Sequence, residues 1–280
     1  MSTAKDFMSH LAIKNITGAG TQYQMPFSQL RPSNPNNFFY LPQVNASAYP
    51  SVYGQSQKSP DLMIMGPAKA SWFTALNLNA WIGTVDANAD SAFHSFGIYN
   101  PTSTVYRVFD QFKCDRLDIS GNAAGGPQNV SSSWAGLFGD SELGGTAING
   151  FSQTSFSATS VVPSAGQLVN VSGVSVAGAT LVRSYNMTLN RGQTVQRYFT
   201  NNAYGSDVSS SMASGQLTLE QEPSGTSPTS TVAITIGAVT FTLLLNLDVF
   251  SRGLQTGYGT KINTYSMIDV TAGGSNFTIA

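Results

Sequence analysis

The sequence predicts an all-β protein organised around one long hairpin. Three observations lead there: the pattern of residues 231–250, a near-absence of charge, and short apolar–polar alternations cut by Gly, Pro, Asn and Ser. Residues 231–250 read TVAITIGAVTFTLLLNLDVF. Gly237-Ala238 between two β-branched runs signals a two-residue hairpin turn, with Gly first as a type II′ turn prefers. That turn fixes the register. Ile236 faces Val239, Ile234 faces Phe241 and Val232 faces Leu243, so Val232, Ile234, Ile236, Val239, Phe241 and Leu243 form the candidate core face. The opposite face pairs Thr235 with Thr240, Ala233 with Thr242 and Thr231 with Leu244. A slip of one residue would exchange the faces, so the register is well specified. The second strand continues through Leu245, Leu247 and Val249, a run of roughly a dozen residues or ~40 Å at ~3.4 Å per residue. A helix over 241–250 is the weaker reading, because Thr, Val and Asn are poor helix formers and no cap precedes them.

Composition supports the same class. The 280 residues are 10% charged and 11% aromatic. An average globular chain is about a quarter charged. The polar share falls to Ser, Thr, Asn, Gln and Gly, which suit strands and turns. With 13 basic and 14 acidic residues the net charge is −1, and no like-charge run occurs. That excludes binding to nucleic acid by phosphate neutralisation, which needs a basic patch. A net charge near zero favours association. Cys114 is the one cysteine, so no internal disulfide forms. No stretch approaches ~20 uninterrupted apolar residues, so no membrane partner is expected, and the first residues carry no apolar run of signal-peptide length.

In chain order, residues 1–68 read as an N-terminal arm and long loop. Pro26, Pro32, Pro35, Pro42, Pro50, Pro60 and Pro67 break regular structure, and residues 38–68 are expected outside any central sheet. Residues 69–280 read as the β domain, with a coarse internal echo dividing it near 69–165 and 166–280. ASWFTALNLNAWI (70–82) fits a short flanking helix. Phe93 to Tyr99 alternates, and Asn100-Pro101 opens a turn. In Val105 to Ile119 the alternation changes parity between Cys114 and Leu117, which predicts a β-bulge near Asp115–Arg116. Residues 129–137 form a further strand and 139–150 a Gly-bearing loop. Thr180 to Leu189 and Gln193 to Phe199 read as a hairpin about Asn190-Arg191-Gly192. Gln216 to Gln221 and Lys261 to Thr271 are strands, and Gly253 to Gly259 a Gly-rich loop.

No pattern carries catalysis. His10 and His94 are far apart, and with Cys114 they make no zinc spacing. Gly139-Asp140-Ser141-Glu142 misses the nucleophile elbow because Leu143 follows. Gly257-Tyr258-Gly259-Thr260-Lys261 lacks phosphate-loop spacing. Asp115 and Asp118 near Arg116 could make an acid pair, but in a mixed-charge strand they are more often solvated, or paired with Lys113 and Arg116. Six N-x-[ST] sequons, at Asn15, Asn45, Asn129, Asn170, Asn186 and Asn276, arise readily in such a composition. The expectation is a non-enzyme without cofactor or metal.

The order of blocks HSFGIYNP (94–101), FKCDRLDISGNAAGGPQNVSSSWAGL (112–137), VRSYNMTLNRG (182–192) and QLTLEQE (216–222), then the long hairpin and a last strand bearing Asp269 and Gly273, resembles the tail tube proteins of long-tailed bacteriophages. The resemblance spans about residues 90–280. It implies a β-sandwich or barrel with a flanking helix. It further implies a virion protein, assembled in the host cytoplasm, whose rings of usually six subunits stack into a hollow tube. Its partners are then copies of itself, other tail proteins at the tube ends, and DNA passing the lumen without specific binding. A lumen that DNA crosses without sticking must be polar and free of excess cations. The candidate lumen face is therefore Thr231, Thr235, Thr240, Thr242, Asn246 and Asp248. A capsid or decoration β-sandwich, and a carbohydrate-binding fibre module using Tyr49, Tyr53 and Tyr258, are the competing readings.

Overall fold

The computed structural model describes residues 10–15, 23–25, 27–33, 38–41, 52–55, 60–68, 93–100, 105–144, 174–196, 207–209, 214–229, 231–237, 239–255, 258–267 and 277–279. These residues are all-β, with antiparallel pairing throughout and no helix. The expected helix at 70–82 lies outside them. The strands are His10–Asn15 (β1), Tyr23–Met25 (β2), Gln29–Ser33 (β3), Phe38–Leu41 (β4), Val52–Gln55 (β5) and Asp61–Pro67 (β6). His94–Asn100 (β7), Val105–Asn122 (β8), Asn129–Gly144 (β9), Val174–Val176 (β10), Val182–Asn190 (β11) and Thr194–Gln196 (β12) follow. Asp207–Ser209 (β13), Ser214–Gln221 (β14), Thr231–Ile236 (β15), Val239–Gln255 (β16), Tyr258–Met267 (β17) and Phe277–Ile279 (β18) complete the chain.

Fourteen strands are joined by pairing, along a main path β10-β15-β16-β17-β14-β11-β8-β7-β1-β2, as two sheets that share β16: β10, β15, β16 and β18 form one, and β16 with the remaining strands the other; among the described residues no barrel closes. β9 pairs with β8 and β6, β6 with β3, and β18 with β16.

The hairpin has the register its sequence specifies, from Ile236 opposite Val239 to Thr231 opposite Leu244. Gly237 has φ 65°, the positive value a primed turn needs. Val232, Ile234, Ile236 and Phe241 are wholly buried and Leu243 nearly so. β16 is longer than expected, 17 residues. Its first part pairs with β15 and β18, its second with β17. The buried faces of both sheets therefore belong to one core, in which Ile234 and Phe241 join Met187, Leu217, Phe96 and Trp134.

The bulge foreseen near Asp115–Arg116 is present as a register shift between Cys114 and Arg116. Phe112, Lys113 and Cys114 are buried in succession. Alternation would expose one of the three, but a second layer covers the other side of β8. There the ribbon β12–β13 packs Val208 against Phe93 and Leu137. The Lys113 amine donates to the Val208 carbonyl at 3.0 Å and lies 4.2 Å from the Phe93 ring centroid. His94 is buried, its ring 5.3 Å from Trp134 in an edge contact.

Four expectations change. The first concerns the arm. β1 sits between β2 and β7, and β6 between β3 and β9, with Leu11, Ile13, Leu62 and Ile64 buried. Two of the described prolines lie at the margins: Pro67 ends β6, and Pro32 lies on β3, whose one described partner is β6. Second, β9 continues through Gly139 to Gly144, because Val105–Val108 needs a partner and finds it there. Pairing overrides the weak strand propensity of Gly and Asp. Third, β12 does not return along β11. β11 is already flanked by β8 and β14. The turn is held on the β8 bulge, Arg191 N–H donating to Asp115 O at 2.8 Å and Gln193 N–H to Asp115 Oδ1 at 2.7 Å. Fourth, the Gly253–Gly259 stretch is ladder as far as Gln255 and again from Tyr258.

Phe241→Ala should cost ~3–5 kcal/mol, since it empties a fully buried site between the two sheets. Equilibrium denaturation measures this. A change within error of zero would contradict the packing described.

Candidate functional surface

β16 leads from the expected lumen face to a larger one. Thr231 is exposed, and Thr235, Thr240 and Thr242 are half-buried. The Thr235 and Thr240 hydroxyls lie 3.0 Å apart across the pair. Asn246, also exposed, shares their parity but pairs with Ser266 of β17, within the other sheet. Asp248 falls at the register shift between Leu247 and Val249 and so leaves the ladder.

From Asn246 the polar row continues. Ser266 opposes Gln216, Gln216 opposes Thr188, Thr188 opposes Asp118, and Asp118 opposes Ser131. A second row runs Thr264, Thr218, Asn186, Ser120, Asn129. Hydroxyls and amides thus span β16, β17, β14, β11, β8 and β9 on the side away from the core. Thr188 donates to Asp118 Oδ1 at 2.6 Å, and the Thr218 and Thr264 hydroxyls lie 3.4 Å apart. The guanidinium beside these rows, Arg116, is bridged to Asp118 at 2.7 Å, and Asp118 raises its already high pKa. Sequence reasoning found the hairpin end of this face and missed the rest. Each strand alone shows ordinary alternation; only the register aligns the rows.

The core side of β14 and β17 carries a polar cluster. The Glu222–Thr229 segment lies over β14 and β17. Lys261 Nζ donates to Gly225 O at 2.6 Å, Asn263 Nδ2 to Ser227 Oγ at 2.7 Å, and the Tyr265 hydroxyl to Pro228 O at 3.2 Å. Gln221, fully buried, donates to Thr180 O at 2.9 Å and accepts from Ser227 Oγ at 3.0 Å. A cavity of about 270 Å³ lies at the start of β11, walled by Val174, Val176, Val182, Gln128 and Tyr185. Among the described residues no group of three or more His, Cys, Asp and Glu side chains could hold a metal. No protein-family model matches the chain, and neither does any curated protein.

Burial holds the Tyr185 and Tyr265 phenols above the ordinary tyrosine value of 10.0. Unfolded tyrosines ionise near that value, whereas the folded ones resist ionisation. Their contribution to stability is therefore complete below about pH 10 and is lost as pH rises above it. Urea midpoints across this range should fall above about pH 10, and less steeply for Tyr185→Phe. Equal slopes for the two proteins would contradict this assignment.

Proposed function

We propose that the chain is a structural subunit of a long-tailed bacteriophage, assembling as stacked rings into the hollow tail tube through which DNA is delivered. The observation that carries this reading is the hydroxyl and amide face spanning the main sheet and continuing onto the hairpin. Among the described residues, the cation beside it, Arg116, is paired with Asp118. A wall of this chemistry wets, yet offers DNA phosphates no counterion-releasing site. The block order of residues 90–280, the low charge and the all-β build support the same reading. In it, copies of the chain are the principal partner and no chemistry is performed.

Negative-stain microscopy of the purified protein should show rings or tubes. Isolated single-chain particles at high concentration and after long incubation would count against assembly. Within tubes, Thr240→Lys with Thr242→Lys, and separately Thr218→Lys with Thr264→Lys, place cations on the two parts of the face. Tubes should still form while DNA delivery falls. Unchanged delivery with both pairs present would remove the face from the lumen.

A further inference from the structure

The cavity at the start of β11 takes its walls from both sheets. Val174 and Val176 of β10 come from the hairpin's sheet. Gln128, just before β9, and Tyr185 of β11 come from the main one. Across the ladder from Tyr185 stands Gly121, which has no side chain to fill the space. The Gln128 amide lies there instead, and a Cβ on Gly121 would run into it. Gln128 is 2% exposed and Tyr185 6%. Gln128 Oε1 and the Tyr185 hydroxyl are nevertheless without a hydrogen-bond partner, and solvent does not reach either atom. Buried polar groups are almost always paired, because an unmade bond leaves the full desolvation cost of the group. Two such residues lining one cavity mark a place to which the partner is brought from outside.

The walls define the ligand. Gln128 Oε1 can only accept, so it calls for an N–H or O–H. The Tyr185 hydroxyl can donate, and burial keeps it protonated beyond the ordinary tyrosine range. Val174, Val176 and Val182 are half-buried and pack against the core, which makes an apolar wall. Arg183, also on the wall, is bridged to Glu222 at 3.0 Å, so its charge is compensated and does not select an anion. An apolar cavity of roughly 150 Å³ holds a benzene ring. About 270 Å³ therefore admits one ring with a polar substituent. An uncharged amide supplies the donor and the acceptor together. We propose that this cavity binds a small neutral molecule with an apolar body and a carboxamide, its N–H donating to Gln128 Oε1 and its carbonyl accepting from the Tyr185 hydroxyl. The site goes beyond the tube reading and is independent of it.

The test titrates the full chain with three probes of similar size, followed by ligand-observed NMR. Benzamide carries the apolar ring and the amide, toluene the ring alone, and benzoate the ring with a charge. Benzamide should bind at least tenfold more tightly than either of the others. Gln128→Met keeps an unbranched side chain without the acceptor, and Tyr185→Phe removes the hydroxyl alone. Each should weaken benzamide at least fivefold and leave toluene unchanged, a split that misfolding cannot mimic. Stability gives a second measure. At neutral pH the urea midpoint of Tyr185→Phe should be no lower than that of the wild type, because the hydroxyl it removes has no partner in the free protein. No binding of benzamide, equal binding of benzamide and toluene or benzoate, benzamide affinity indifferent to both substitutions, or a lowered midpoint for Tyr185→Phe would overturn the proposal.

Discussion

One strand holds the two sheets together. β16 is hydrogen-bonded to β15 and β18 over its first residues and to β17 over the rest. A strand shared in this way cannot slip. A shift of one residue would expose Phe241 and Leu243 in one sheet and break the Leu247–Tyr265 pairing in the other. The chain reconciles the two sheets' demands with the irregularity at Asp248, after which the parity of β16 is reversed.

A low-charge composition makes each charged side chain conspicuous, and two lysines are spent inside. Lys113 and Lys261 both end on backbone carbonyls, at Val208 and Gly225. Each ties a segment that is not part of the main ladder to the strands beneath it: the β12–β13 ribbon in one case, the turn before β15 in the other. Removing either partner of such a buried contact strands a polar group away from water, which costs more than the bond itself contributes. The Gln221–Ser227–Asn263 amide and hydroxyl network works alongside Lys261 in directing the chain from β14 toward the start of β15.

The outer face gains its character from register. Thr, Ser, Asn and Gln alternate with Leu, Ile and Met along each strand, as half-buried strands require. Aligning β8, β11, β14 and β17 turns that alternation into rows of hydroxyls and amides on one side and a single apolar core on the other. With Arg116 locked to Asp118, the face is polar without being basic.

The sequence by itself determined the all-β class, the hairpin with its six cross-strand pairs, and the bulge beside Asp115. These follow from side-chain period and turn chemistry within a dozen residues, where local physics is decisive. The polar hairpin residues were legible for the same reason, being neighbours across a tight turn. Only the tertiary structure decided that β1 and β6 belong to the sheet, that β9 runs on through Gly139 to Gly144, and that β12 pairs with β13. It also decided that Lys113 and Lys261 lie inside. Each depends on a partner far along the chain, and no local pattern encodes which distant edge a strand will meet. A strand edge such as Val105–Val108 accepts an unpromising Gly-bearing strand because an unpaired ladder costs more than poor propensity. The long polar face belongs to the same category: its residues were all visible, but their alignment existed only once six strands had paired.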